Sequence, residues 1–267
     1  MKIALMDSGI GLLAAAAAVR RLRPDAHLVL SSDPDGMPWG PRTPDDVAER
    51  ALTVAGAAAA HRPDALIVAC NTASVHALPA LRAALEPGLP VVGTVPAIKP
   101  AAAGGGRVAI WATPLTTDSP YQRRLIAEFA DGAQVTEVPC PGLADAVQWA
   151  DEAGVAHAVA AAAALTPPDV RAVVLGCTHY ELVAERIRAA VAEGRPEGLP
   201  PVVLHGSAVA VATQALRRAG ARPAPSAAPD GGLTVLLSGR DSELPAAARA
   251  YAEGRLLEAV KPVTPAH

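Results

Sequence analysis

Two cysteines occupy matching places in the sequence. The run at residues 65–70 (ALIVAC) ends at Cys70, and the run at residues 172–177 (AVVLGC) ends at Cys177; the two runs align without gaps. In both cases a β-rich apolar stretch stops at the thiol and polar residues follow before the next helix. The pattern predicts two equivalent thiols, each at the carboxyl end of a buried strand.

Paired thiols suit the inversion of a stereocentre. Removing a Cα proton from one face of an amino acid and returning one to the other requires a deprotonated group and a protonated group on opposite sides. A free thiol has a pKa near ~8.5, and amides at a helix N-terminus favour its thiolate. The position before a helix therefore favours ionisation of Cys70. The alternative is that both cysteines are small buried hydrophobic residues.

Three further polar residues could take part in the same chemistry. Asp7 and Ser8 follow the first predicted strand, and the glycines after them permit a tight turn that exposes N–H groups to an anionic ligand. Alternatively, Asp7 and Ser8 cap the next helix. His179 lies two residues after Cys177, which favours a catalytic role over that of a structural histidine.

A turn-forming segment after the second strand contains Trp39 and Gly40. Asp, Pro and Gly are typical of a surface turn. A tryptophan is unusual in such a turn, so we expect it at the edge of a pocket. Cys140 also ends a predicted strand, but without polar neighbours like those of Cys70, which favours packing.

Composition excludes several classes of partner. The chain has 267 residues, 51% hydrophobic and 3% aromatic, with a formal net charge of −3. A nucleic-acid-binding surface needs clustered basic residues, which are missing from this sequence. No apolar run reaches the roughly 18 residues of a membrane helix, and the N-terminal charge order is the reverse of a secretory signal. We expect a cytoplasmic protein with reduced thiols.

Apolar runs alternate with Ala-rich helical stretches along the chain, which predicts an α/β fold with parallel sheets. The predicted strands are Ile3–Met6, His27–Leu30, Leu66–Ala69, Val91–Val92, Val108–Trp111, Val135–Val138, Ala172–Leu175, Val202–Leu204 and Leu233–Leu237. The predicted helices include Gly11–Leu22, Asp45–Ala60, Thr117–Ala130, Glu181–Val191 and Ser207–Ala219. Residues 222–232 are rich in Pro, Ala and Gly and predict a surface loop.

The matching runs at the two cysteines belong to a weak internal repeat. Residues 2–6 resemble residues 107–111 at nearly the same offset. We therefore predict two pseudo-symmetric α/β domains, one comprising residues 1–93 plus 208–267 and the other residues 94–207. Because open α/β sheets bind ligands at the carboxyl ends of their strands, the active site is expected in the cleft between the domains.

The sequence resembles the glutamate racemase family, within the wider aspartate/glutamate racemase superfamily. The resemblance runs over nearly the whole chain, and the patch around the second cysteine is its most specific part. Four patches match in order: Asp7-Ser8-Gly9-Ile10-Gly11, Pro38-Trp39-Gly40, Cys70-Asn71-Thr72-Ala73-Ser74 and Gly176-Cys177-Thr178-His179-Tyr180.

The resemblance implies an enzyme free of pyridoxal phosphate, and of any other cofactor or metal. It would interconvert L- and D-glutamate, supply peptidoglycan synthesis and assemble as a homodimer. By the same resemblance, Cys70 and Cys177 are the acid/base pair, and Asp7 and His179 adjust their ionisation. The implied substrate-binding residues are Asp7, Ser8, Trp39, Gly40, Asn71, Thr72, Thr178 and His179.

Five positions depart from the family pattern. Leu12 replaces a glycine, Trp39 a tyrosine, Gln148 a glutamate, Glu181 a proline and His205 an aspartate. None of these changes removes a thiol. Another acidic amino acid remains open as substrate, and so does a binding protein that has lost catalysis.

Two other enzyme classes fit parts of the sequence. Gly9, Gly11 and Ala14 match the G-x-G-x-x-G/A fingerprint after a strand, and Asp33 ends the next strand as a ribose ligand of NAD does. That alternative leaves both cysteine patches unexplained. A zinc hydrolase using Cys70, Cys177 and His179 lacks a Cys/His pair of the usual ligand spacing.

Overall fold

The structure, a computed structural model, describes residues 1–117, 119–130 and 132–259. It divides into two units, each with its own sheet. The first contains Met1–Val95 and the chain from Ala208 onward, and the second contains Pro96–Ser207.

Short strands form the two sheets. They are β1 Lys2–Asp7, β2 His27–Ser32, β3 Ala65–Val68, β4 Val91–Gly93, β5 Arg107–Ala112, β6 Gln134–Pro139, β7 Ala172–Leu175, β8 Val203–His205, β9 Leu233–Leu237 and β10 Arg240–Ser242. The first unit has the order β10-β9-β2-β1-β3-β4, and the second has β6-β5-β7-β8. All pairings are parallel except that of β10 with β9.

Helices connect most of the strands. They are α1 Leu12–Leu22, α2 Pro44–Ala59, α3 Asn71–His76, α4 Leu78–Leu85, α5 Ile98–Ala102, α6 Pro120–Phe129, α7 Leu143–Gln148, α8 Glu152–Leu165, α9 Ala184–Glu193, α10 Ala208–Arg218 and α11 Ala252–Glu258. Two 3-10 helices cover Thr178–Val183 and Ala246–Ala250.

Local sequence explains why these helices form. Helix α1 is a run of strong helix formers with Arg20 and Arg21 in its last turn, where positive charge meets the negative end of the helix dipole. Helix α2 begins after Thr43, whose side chain accepts a hydrogen bond from the N–H of Asp46, and Pro44 occupies its first position.

Both faces of the first sheet are buried. On β1 and β3, Ala4, Met6 and Leu66 pack with residues of α2 in one core cluster. The alternate residues Leu5 and Ile67 are also 0% exposed. Because successive side chains of a strand point to opposite faces, helices must cover both sides of this sheet. The predicted α/β class is confirmed.

The internal repeat is confirmed in the strand pairing of each unit. Strand β1 lies between β2 and β3, as β5 lies between β6 and β7. The registers also correspond, since Met6 pairs with Val68 and Trp111 pairs with Leu175. The residues before the two cysteines therefore have the same place in their respective sheets.

Differences from the predicted elements are small. The strands Ala172–Leu175 and Leu233–Leu237 have the predicted bounds, and residues 222–232 lie outside helices and strands. The helix predicted from Glu181 is wrong at its start, because a 3-10 helix precedes α9. No helix in the described part of the chain combines the length and apolar character that a membrane crossing requires.

We expect Leu66→Ala to lower the free energy of unfolding by about 2–5 kcal/mol, because it opens a cavity in a packed core. Leu66 is 0% exposed on a central strand, whereas Leu52 on α2 is 37% exposed. The matched control Leu52→Ala should cost less than about 1 kcal/mol. Urea titrations of both variants measure the difference, and equal losses would contradict the burial of β3.

Candidate active site

Cys70 lies at the junction between β3 and α3. The N–H of Ala69 donates to the carbonyl of Met6 at 2.8 Å, which closes the ladder between β1 and β3 just before the thiol. Cys70 then has an extended backbone and α3 begins at the next residue. Its side chain is 5% exposed, within the core cluster of the first unit.

Asp7 ends β1 beside this thiol and is fully buried. Its Oδ1 accepts hydrogen bonds from the N–H of Ser8 at 2.6 Å and from the Ser8 hydroxyl at 3.2 Å. Helix α1 begins after Gly11, four residues beyond Asp7. The carboxylate of Asp7 faces Cys70.

The pKa of Cys70 is raised well above its ordinary value. Burial is the largest cause, followed by the negative charge of Asp7; the N–H groups of Ala73 and Ser8 act in the opposite direction and are outweighed. The expectation that a helix start favours the thiolate of Cys70 is therefore wrong for the free protein. Desolvation and a neighbouring carboxylate keep the proton on this sulfur.

The expectation that Trp39 lies at the edge of a pocket is wrong, because its side chain lies in the core. It is 1% exposed, and its Nε1 donates to Asp33 Oδ2 at 2.9 Å. The indole fills space in the same cluster as Cys70, and a buried partner satisfies its N–H. Gly40, in contrast, is exposed.

The carboxylate of Asp33 is occupied by other side chains. Besides Trp39, it accepts hydrogen bonds from Arg50 and from the hydroxyl of Ser238, each at 3.2 Å. Asp33 is 5% exposed and holds together parts of the first unit. This arrangement disfavours the role of ribose ligand in an NAD site.

The remaining candidates of the first unit lie at the start of helices. Asn71 and Thr72 are the first residues of α3 and are partly buried. Leu12, the residue that replaces a family glycine, begins α1 and is 3% exposed. Its side chain is part of the core.

Cys177 repeats the local geometry of Cys70 in the second unit. The N–H of Gly176 donates to the carbonyl of Trp111 at 2.8 Å. Position 176 requires glycine, since a Cβ there would lie 2.7 Å from this same carbonyl oxygen. Cys177 has φ −135° and ψ 137°, against −139° and 122° at Cys70, and a 3-10 helix begins at Thr178. Unlike Cys70, Cys177 is partly exposed.

His179 connects Cys177 to Gln148. The Cys177 Sγ lies 3.8 Å from His179 Nδ1, and His179 Nε2 lies 3.0 Å from Gln148 Oε1. Gln148 is the last residue of α7, and both it and His179 are 5% exposed. Burial lowers the pKa of His179 to about 4. The imidazole is therefore neutral at pH 7, with one nitrogen near the thiol.

Tyr180 and Cys140 hold this segment against the end of β6. The hydroxyl of Tyr180 donates to the carbonyl of Cys140 at 3.4 Å, and the Cys140 thiol contacts the carbonyl of Val138. Cys140 is 1% exposed, and burial raises its pKa to about 12. These contacts agree with the packing role predicted for Cys140.

Glu181, which replaces a family proline, binds the chain just before α10. Its Oε1 accepts hydrogen bonds from the N–H of Ser207 at 2.8 Å and from the Ser207 hydroxyl at 2.9 Å. His205, which replaces a family aspartate, lies two residues before Ser207 and is partly buried. The carboxylate of Glu181 thus links the 3-10 helix after Cys177 to the end of the second unit.

The described residues show neither a disulfide nor a group of three or more His, Cys, Asp and Glu that could hold a metal ion.

Sequence comparison decides the family. A profile described as Asp/Glu/Hydantoin racemase matches residues 11–215. The glutamate racemase of Pectobacterium carotovorum is 36% identical over 205 residues, 72% of this chain and 70% of that protein. That of Pseudomonas putida is 34% identical over 224 residues, 82% of each chain. The chain belongs to the Asp/Glu/Hydantoin racemase family.

The fold of this racemase is shared with a solved relative. The crystal structure of Escherichia coli glutamate racemase, in complex with L-glutamate and the activator UDP-MurNAc-ala, has a TM-score of 0.75 and 29% identity, covering 93% of this chain and 91% of that one. The resemblance found in the sequence is confirmed, and the protein is an amino-acid racemase, an isomerase.

Two contacts of the racemase were not predicted from its sequence. The sequence marks Gln148 only as a departure from the family pattern, whereas in the structure its side chain contacts His179. The sequence marks Tyr180 only as part of a motif, whereas in the structure it anchors the segment that carries His179. The departure from the family pattern at Gln148 is a sequence signal for this contact. It does not identify the partner, because His179 lies 31 positions away.

The buried His179 makes the racemase sensitive to acid. Its pKa is about 4 when folded, against 6.5 for an ordinary histidine, so the unfolded chain takes up this proton first as the pH falls. The unfolding free energy is unaffected by this histidine above pH 6.5 and decreases as the pH falls from 6.5 towards 4. Between pH 7 and pH 5 the loss from this group is about 2 kcal/mol.

Urea titrations of the wild type and of His179→Gln at pH 7 and pH 5 measure this loss. The wild type should lose more unfolding free energy than the variant, by about 2 kcal/mol. Other acid-sensitive groups contribute equally to both proteins. Parallel losses in the two proteins would contradict a neutral buried His179.

Proposed function

We propose that this racemase interconverts L- and D-glutamate, with Cys70 and Cys177 acting on opposite faces of one substrate Cα. The single observation that carries the proposal is the structural equivalence of the two thiols. Cys70 follows β3, which pairs with β1, and Cys177 follows β7, which pairs with β5, at the same register position and with nearly the same backbone conformation. Equal groups suit a reaction that must run in both directions.

Each thiol has a proton acceptor within its own unit. Asp7 faces Cys70, and His179 Nδ1 lies 3.8 Å from the Cys177 Sγ. In the free enzyme, burial and Asp7 keep Cys70 protonated, and the thiolate must therefore be formed when substrate is bound. Transfer of the thiol proton to the local acceptor produces it.

The proton balance is as follows for one enantiomer. Cys70 passes its S–H proton to Asp7, and the resulting thiolate takes the Cα proton from one face. Cys177 donates its S–H proton to the other face, which completes the inverted C–H bond and leaves a thiolate on Cys177. Asp7 then releases its proton to solvent and Cys177 takes one up from solvent, which returns all three residues to their starting state. For the other enantiomer, His179 accepts the Cys177 proton and the two thiols exchange roles.

The substrate is held by polar groups near these thiols. We propose that Ser8, Asn71, Thr72 and Thr178, with the backbone at Trp39-Gly40, bind its carboxylates and ammonium group. Ser8 and Asn71 lie within one residue of Asp7 and Cys70, and Thr178 directly follows Cys177. These placements at strand ends support the assignment.

Glutamate is proposed because the relatives described above are glutamate racemases. We propose a cytoplasmic enzyme, since the mechanism needs reduced thiols, and a role in supplying D-glutamate for peptidoglycan synthesis. Assembly as a homodimer is also proposed. Exposed apolar side chains such as Trp149, at 67% exposure, are available for an interface.

Replacing either proposed catalytic thiol tests the mechanism. We expect Cys70→Ala and Cys177→Ala each to lower the rate of glutamate racemisation by at least about a hundredfold, because each removes an acid/base group. Circular dichroism of each enantiomer, with no cofactor added, follows the reaction. The control Cys140→Ala should keep the wild-type rate.

Isotope incorporation in D2O distinguishes two bases from one. At low conversion the product should carry deuterium at Cα while the unreacted substrate keeps protium, because the donated proton comes from the second thiol. Protiated product would show that one group carries the same proton across, and it would overturn the two-thiol assignment. Binding of glutamate without turnover would favour a binding protein.

A further inference from the structure

The two ring nitrogens of His179 face different partners. Nδ1 faces the Cys177 Sγ at 3.8 Å, and Nε2 faces Gln148 Oε1 at 3.0 Å. Both His179 and Gln148 are 5% exposed, so these contacts are shielded from solvent. A neutral imidazole carries a proton on one nitrogen and a lone pair on the other.

The carboxamide oxygen decides which nitrogen carries that proton. An oxygen acceptor at hydrogen-bond distance from Nε2 requires N–H on Nε2, because two lone pairs at 3.0 Å would repel each other. The lone pair is then on Nδ1, where it can accept the S–H of Cys177. The opposite tautomer would direct an N–H at the sulfur and leave no acceptor for the thiol proton.

We propose that Gln148 is a positioning residue, which holds His179 as the neutral Nε2–H tautomer and so makes Nδ1 the acceptor for the Cys177 proton. The inference rests on the proposed function, in which Cys177 must lose its proton for one enantiomer. Because a carboxamide has no charge, it orients the imidazole without favouring imidazolium.

The fold keeps Gln148 in place for this role. Helix α7 begins after Gly142, whose φ of 72° lets the chain turn between β6 and the helix. The hydrogen bond from Tyr180 to the Cys140 carbonyl fixes the 3-10 helix against the same corner. Gln148 and His179 thus come from two segments that are separately anchored.

Few charged groups are close to this imidazole. From α7, Asp145 acts on the neighbouring Tyr180. On the 3-10 helix itself, Glu181 binds Ser207. On α9, the exposed Glu185 pairs with the partly buried Arg188, and Arg186 pairs with Glu152 on α8, both exposed. Strand β7 contributes only apolar residues. Burial is the cause of the lowered His179 pKa, with no charge among the causes.

Ring-nitrogen NMR of the free enzyme, labelled with 15N in histidine, tests the tautomer directly. At pH 7 the wild type should show His179 with its proton on Nε2. In Gln148→Met, which keeps side-chain length but removes the oxygen, we expect a mixture of the two tautomers. In Gln148→Glu, the added charge should favour imidazolium and promote transfer of the Cys177 proton.

Alkylation of Cys177 by iodoacetamide, measured by mass spectrometry across pH, gives the second readout. Gln148→Glu should shift its pH dependence to lower pH and speed alkylation at pH 7 by about tenfold, the factor for one pKa unit. The matched control Gln214→Glu adds the same charge on α10, where Gln214 contacts Arg217, and should leave both readouts unchanged.

The proposal is overturned if wild-type His179 carries its proton on Nδ1 or is doubly protonated at pH 7. It is also overturned if Gln148→Glu and Gln148→Met both leave the tautomer and the alkylation profile unchanged. Neither readout requires turnover, so failure here is distinguishable from failure of the proposed function. The latter would appear as full racemase activity in Cys177→Ala.

Discussion

The rest of the site depends on where two parallel strand pairings end, that of β1 with β3 and that of β5 with β7. The N–H of Ala69 binds the carbonyl of Met6, and the N–H of Gly176 binds the carbonyl of Trp111, each at 2.8 Å. In both units the next residue along the chain is a cysteine. Because the two registers correspond, each cysteine follows its strand at the same register position and with a similar backbone conformation.

Around these equivalent positions the two units differ in how they handle the proton. Cys70 is buried beside the carboxylate of Asp7, which keeps the thiol protonated. Cys177 is partly exposed beside a neutral imidazole, which Gln148 contacts from the other side. One thiol thus lies beside an anionic group and the other beside a neutral one. In the proposed reaction the repeat supplies the symmetry, and the surrounding residues supply the electrostatic difference.

The sequence predicts the features that are local or periodic. Alternation of apolar runs and helices predicts the α/β class, and the gapless match of the cysteine runs predicts the repeat. Features set by distant partners are not predictable in this way. The core position of Trp39 depends on a hydrogen bond to Asp33, which also accepts from Arg50 and Ser238. The raised pKa of Cys70 arises because burial outweighs the effect of the nearby backbone N–H groups. The bond between Glu181 and Ser207 joins residues 26 positions apart.

A crystal structure of the enzyme with bound D-glutamate tests most directly whether both sulfurs serve one carbon. The two-thiol mechanism predicts that the Sγ atoms of Cys70 and Cys177 approach the substrate Cα from opposite faces, each at about 3–4 Å, a distance suited to proton transfer. A substrate carbon that is in reach of one sulfur only, with the other thiol in a separate pocket, would contradict it.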